Sequence, residues 1–196
     1  PSTAGTRSRR RRGRSRRPTR PPLYDTIASV VTPLYGSDAV PLTAARASLH
    51  LTGALPDRGI VVADPGPAGF WIARTLPTSF PGSVCVPATR IDGFAAAAAL
   101  VCALEERPCF AVADQRDGPD GVDPSTEAVL ELAEALGLGV ALQLWGERGS
   151  MASSTDHVEL LARSLEATTV RIDDVPVDLT ATAELERVAG PLRAWA

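Results

Sequence analysis

Lysine is missing from all 196 residues, so arginine carries the basic chemistry of the chain almost alone. Alanine, glycine and proline are abundant beside it. Such a bias points to a GC-rich coding sequence and weakens any functional reading of a single arginine. Histidine occurs twice, as His50 and His157 in different expected helices, and each reads better as a surface or satisfied interior residue than as a catalytic one. The segment GERGSMASSTDH brings Ser150, Ser153 and Ser154 near His157 in sequence, but it holds no nucleophile elbow, and Asp156 beside His157 does not make a triad. Those serines read as helix caps. Cysteine occurs three times, as Cys85, Cys102 and Cys109, an odd set without a CxxC pair. A reduced, cytoplasmic setting is the simpler reading, with the thiols as small apolar side chains. The longest apolar stretches are broken by Arg90, Asp92, Glu105 and Glu106, so no membrane span is expected. No apolar segment follows the first arginines directly, which is not the order of a secretory signal.

Charge is distributed unevenly. Nine of the 20 arginines fall within the first twenty residues, where there is no acid, while the remainder carries 11 arginines against 23 acids, a net charge of -12. Residues 1–22 lack apolar periodicity and cannot offset the entropy of ordering a backbone, so a solvated, disordered arm is expected. The acidic body should repel a polyanion, and any nucleic-acid contact would come through the arm. No aromatic residue is interleaved there to stack on bases. A non-specific tail, docking to an acidic protein, and a weak polyanion contact through residues 1–20 remain open.

Residues 23–41 are interrupted by Pro33, Gly36 and Pro41 and read as a linker or a strap along the domain surface. Residues 42–196 read as one α/β domain. Thr43 can cap a helix running to about residue 55, and Pro56-Asp57 then turns the chain into an apolar run at 59–63. Further short apolar runs at 83–86, 109–113, 139–144 and 168–172 alternate with helical stretches, the first containing Phe70, Trp71 and Ile72. Others span 93–104, about 124–137, 156–165 and 180–192. The Ala-rich stretch allows close packing of a helix on a sheet. Short, nearly continuous apolar strands imply a mostly parallel sheet with helices on both faces. Ligands in such sheets bind beyond the carboxyl ends of the strands, which directs attention to Asp64, residues 87–92, 114–123 and 145–149. Trp71 and Trp145 could cover an apolar patch at the mouth of the sheet or an interface, and a complex would be expected to bury them with Phe70.

The loop DQRDGPDGVD, residues 114–123, holds four aspartates. It can be a solvated acidic loop or a divalent-ion loop, although DQRDGPDGVDPS lacks the terminal Glu of a calcium loop.

Three segments, ALPDRGIVVADPGPAGFWIARTLPTSFPGS, IDGFAAAAALVCALEERPCFAVAD and EAVLELAEALGLGVALQL, together resemble a known domain. It is the carboxyl-terminal, diphosphate-binding domain of thiamine-diphosphate enzymes of the acetolactate synthase and benzoylformate decarboxylase type. The resemblance spans roughly residues 42–175. It implies that Asp64 and Gly66 form the small-residue turn after the first strand, and that Gly93 begins the helix beside the diphosphate. It also implies a Mg2+ site at Asp114 or Asp120 together with Glu147, which lies 27 residues beyond Asp120 where the family carries Asn. The motif departs from the family, which has Gly-Asp-Gly where this chain has Ala113-Asp114-Gln115. Thiamine diphosphate and Mg2+, or no cofactor at all, both follow from a site that has drifted. The family activates its cofactor with a glutamate from a separate pyrimidine-binding domain, for which this chain has no room. The resemblance therefore implies the diphosphate-domain subunit of a split 2-oxo acid lyase or synthase, inactive without a pyrimidine-domain partner. The alternative is a non-catalytic assembly protein, in a hetero- or homo-oligomer, that keeps the fold.

Overall fold

A computed structural model describes residues 22–190, apart from 79, 119 and 120. The expected arm, residues 1–22, lies outside the described residues except for its last position. Six parallel strands form one sheet in the order β1-β6-β5-β4-β2-β3. They are β1 (Leu42–Thr43), β2 (Ile60–Ala63), β3 (Val84–Cys85), β4 (Cys109–Asp114), β5 (Ala141–Gly146) and β6 (Arg171–Asp178). The helices are α1 (Pro22–Tyr35), α2 (Ala44–Ala54), α3 (Pro67–Thr75), α4 (Phe94–Leu104), α5 (Pro124–Ala135), α6 (Ser154–Leu165) and α7 (Thr182–Ala189). The α/β class and the parallel sheet covered on both faces are as the apolar runs require.

The central strands are buried on both sides because each of their side chains meets a helix. β2 is buried at all four positions and β4 and β5 at their middle four. One face packs against α2, α3 and α6 around Phe70, Trp71, Phe110 and Trp145, with α1 and α7 outside them. The other packs against α4 and α5, where Ala95, Ala96 and Ala99 let α4 approach β2 and β4 closely. Each large apolar side chain so buried contributes about 2 kcal/mol.

Three readings differ from the structure. The segment 23–41, expected to be irregular, is mostly helix: Pro22 occupies the start, where a missing N–H costs nothing, and Pro33 lies in the last turn of α1. Val31 is buried, Tyr35 donates its hydroxyl proton to the Thr75 carbonyl, and Arg46 donates to the Tyr35 carbonyl at 3.1 Å, satisfying the helix end. Tertiary packing overrides the interrupted pattern. β6 begins three residues later and runs six further than expected, because its polar start, Arg171 to Asp174, continues into Val175 and Val177, which are buried. Phe70, Trp71 and Trp145 are at most 1% exposed, so they are core and offer nothing to a partner. Trp71 instead donates Nε1–H to Thr182 at 2.9 Å, tying α3 to α7.

A polar chain crosses this core. The side-chain oxygen of Gln143 accepts both Trp145 Nε1–H and His157 Nε2–H at 3.1 Å. Because the indole can only donate, the oxygen must accept, and His157 is the Nε2–H tautomer. Its bare Nδ1 then accepts from His50 Nδ1–H at 3.2 Å. This pattern needs only one ring proton on each histidine. Burial, reinforced by His50, pushes His157 down to about 3. Burial and the neighbouring Arg46 also lower His50, against the pull of Asp38.

Candidate functional site

Strand order places a divergence between β2 and β4. From β2 the chain passes through α3 on one face to β3; from β4 it passes through α5 on the other face to β5. The crevice beyond the carboxyl ends of these two strands is where a sheet of this kind receives ligands. An aspartate stands at each of these strand ends, Asp64 directly after β2 and Asp114 as the last residue of β4.

Neither aspartate caps the helix that follows it. Asp114 Oδ1 accepts the Ala68 N–H at 2.8 Å, in the first turn of α3. Its other oxygen lies 1.8 Å from where a Cβ on Gly66 would stand. Gly66 is extended, with φ -172, so glycine is needed there for space alone. Asp64 Oδ1 accepts the Ala95 N–H at 2.7 Å, in the first turn of α4, whose own N-cap Gly93 has no side chain to offer. Gly93 sits at φ 78 with an ideal Cβ only 3.0 Å from the Ser125 backbone, so α4 and α5 start against each other. α5 is capped by Asp123, which accepts from the Ser125 and Thr126 N–H groups at 2.9 and 3.0 Å and from the Thr126 hydroxyl at 2.7 Å.

Three helix starts thus meet at the crevice, and each already holds a carboxylate. Burial pushes both Asp64 and Asp114 up to about 6, against the lowering effect of the Ala95 and Ala68 hydrogen bonds. Asp123 is held below the usual range: burial opposes its charge, but the hydrogen bonds from Thr126 and Ser125 outweigh it. Arg116 supplies the counter-charge, favouring the ionised forms of Asp64 and Asp114 and pairing with Asp92 at 3.5 Å.

The next strand ends are closed by Gln115 and Arg148. Gln115 donates to the Arg148 carbonyl at 3.1 Å and to Asp174 at 3.0 Å, and its oxygen accepts the Arg148 N–H at 2.8 Å. That oxygen stands 2.3 Å from an ideal Cβ on Gly146. The Arg148 guanidinium reaches the Gly118 carbonyl at 2.9 Å and occupies the space a Cβ on Gly121 would need. Beside it a cleft of about 530 Å³ opens between Pro67, Asp114, Arg116, Trp145, Glu147 and Leu179.

Of the expected site residues, Asp64, Gly66, Gly93 and Asp114 come together at the crevice. Glu147 lines the adjoining cleft as an exposed residue, and Asp120 lies outside the described residues. Among the described residues no three His, Cys, Asp or Glu side chains stand close enough to hold a metal ion. Among the described residues, the donor set does not fit a Mg2+-diphosphate. Asp114 is committed to α3 and Gly66, the Gln115 oxygen is taken by a backbone N–H, and carboxylates occupy helix starts where phosphates would be bound. Sequence reasoning missed Gln115, Arg116 and Arg148; only Asp123, an aspartate before Pro124-Ser125, carried a readable capping signal.

Gly66→Ala should therefore expel the Asp114 carboxylate from α3 and destabilise the fold by about 2 kcal/mol. Denaturant unfolding measures this. The cost should shrink to a few tenths of a kcal/mol in an Asp114→Ala background, and an equal cost in both backgrounds would disprove the contact.

No protein-family description matches the chain, and no curated protein does. Solved structures do match. Benzoylformate decarboxylase from Polynucleobacter necessarius superposes with a TM-score of 0.57 at 12% identity, over 72% of this chain and 34% of its own. The thiamine diphosphate-dependent 4-hydroxybenzoylformate decarboxylase of Rhodococcus jostii gives 0.57 at 16%, over 70% and 33%. A Mycobacterium smegmatis protein provisionally assigned as a thiamin diphosphate-dependent enzyme gives 0.52 at 16%, over 71% and 33%. The chain spans about a third of the length of each. At these identities the likeness is one of fold: this chain has the α/β fold of the diphosphate-binding domain of thiamine-diphosphate enzymes.

Proposed function

We propose that the chain is a diphosphate-domain-like module whose own side chains fill the place of the cofactor, and that it serves as a non-catalytic partner in an assembly. The observation that carries this reading is the set of carboxylates on three helix starts, Asp64 on α4, Asp114 on α3 and Asp123 on α5. A helix N-terminus attracts an anion through its free N–H groups and dipole. Here internal anions meet that demand, and Arg116 stands as their cation. A diphosphate entering the crevice would face like charges on groups that are already costly to ionise.

A second reading is the diphosphate subunit of a split 2-oxo acid lyase. It is favoured by the superposition on benzoylformate decarboxylase and would require a pyrimidine-domain subunit to complete the site. Isothermal titration of thiamine diphosphate with and without Mg2+ separates the two. The module reading expects no saturable heat up to about millimolar ligand. Saturable, Mg-dependent heat would overturn it and make the missing subunit the next object to find.

A further inference from the structure

Seven large apolar side chains are exposed among the described residues; three of them lie on α4 and α5 and a fourth, Leu136, is the C-cap of α5. Val101 and Leu104 are 56% and 60% exposed, Leu132 and Leu136 50% and 53%. With Ala97 they form an outward stripe on α4 at i, i+4 and i+7; Ala128, Leu132 and Ala135 repeat the spacing on α5. The inward residues of both helices pack on the sheet, so the two stripes share the outer side of one two-helix layer. α4 is therefore apolar on both sides, and a helix apolar all round is normally buried. None of its eleven residues carries a charge.

The rim of this face is acidic. Glu105 and Glu106 follow α4, and α5 carries Glu127, Glu131 and Glu134 with no basic residue, all of them exposed. Arg107, whose Nε–H is given to the Arg58 carbonyl at 2.9 Å, is the one nearby cation in sequence. A second copy docked symmetrically would set this acidic rim against itself. Opposite charge is what the rim selects.

We infer that the outer face of α4 and α5 is a docking surface for an amphipathic helix of another protein, apolar along its centre and bordered by arginine or lysine. The inference rests on the reading of the chain as an assembly module and names the partner's chemistry. Two neighbouring apolar stripes offer a surface along which a third helix can lay its own anchors at i, i+4 and i+7. Long basic side chains at the border would lay their methylenes over the apolar stripe and their charges on the glutamates.

The probe is a labelled 18-residue Leu/Lys amphipathic peptide, with its Leu/Glu counterpart as control, titrated by fluorescence anisotropy against the full chain. Saturable binding of the Leu/Lys peptide is expected, at least tenfold weaker in Leu104→Ser/Leu132→Ser and in Glu131→Gln/Glu134→Gln. Val158→Ser/Ile172→Ser, at exposed apolar sites on other elements, should leave it unchanged. All these positions are exposed, and thermal melts check that the variants stay folded. Equal binding of the two peptides, or binding indifferent to the α4 and α5 substitutions, would overturn the inference. So would self-association of the chain that the same substitutions abolish, since the face would then belong to a second copy. Thiamine diphosphate titration fails or succeeds independently of this result, so loss of the docking surface and loss of the module reading are told apart.

Discussion

Replacing Asp64 and Asp114 together with asparagine is expected to stabilise the protein at pH 8 by about 4 to 6 kcal/mol. Each carboxyl is pushed by burial from 3.8 up to about 6, and each such shift corresponds to about 3 kcal/mol. The sum falls short of additive because the Asp64 charge itself raises Asp114. The sign follows from proton linkage. A carboxyl whose folded value lies above its unfolded value supports the fold fully below the unfolded value, and that support is lost as pH rises through the folded one. The advantage of the double variant should therefore close between pH 6 and 3.8. Asparagine keeps an oxygen for the Ala95 and Ala68 N–H groups, so the helix starts stay capped. Urea unfolding across this range reads the effect, and a variant less stable than the parent at pH 8 would sink the account.

The second large effect has the opposite sign. His157 is held neutral at about 3 by burial, so the stability it confers is present above 6.5 and lost as pH falls toward 3. In the Asp64→Asn/Asp114→Asn background the two aspartate contributions are gone, and unfolding free energy should fall by about 3 kcal/mol between pH 6.5 and 4. In the parent chain Asp64 and Asp114 gain over that interval while His157, His50 and Asp123 lose, so its stability should fall less steeply than the variant's. NMR titration of the ring supplies a direct check: His157 should stay neutral to below pH 4, and a folded-state midpoint near 6.5 would refute the assignment.

Much of this fold was legible because its central strands are nearly pure apolar runs. Residues 60–63 and 110–113 have no other use than burial between two helical layers, and the alanines of α4 announce a close approach. The strand ends drew attention to Asp64 and Asp114, which the structure brings to one crevice with Gly66 and Gly93. What escaped depended on distant partners. α1 hides behind Pro33 because its helical face is completed by α2 and α7, and the polar start of β6 conceals a strand because only Val175 and Val177 need the core. Gln115, Arg116 and Arg148 escaped for a further reason. Their roles arise from contacts across some thirty residues, and a composition so rich in arginine makes no single one conspicuous.

The caps of α3 and α4 also bear on how the chain reaches its final form. Asp114 lies 46 residues beyond the amide it receives and Asp64 lies 31 before its own. Neither helix can finish its first turn from local sequence, since Gly66 and Gly93 offer no side chain. Asp114 reaches Ala68 only with β4 packed beside α3, and Asp64 reaches Ala95 only with α4 packed on β2, so both helix starts are completed by tertiary contact and not by local sequence.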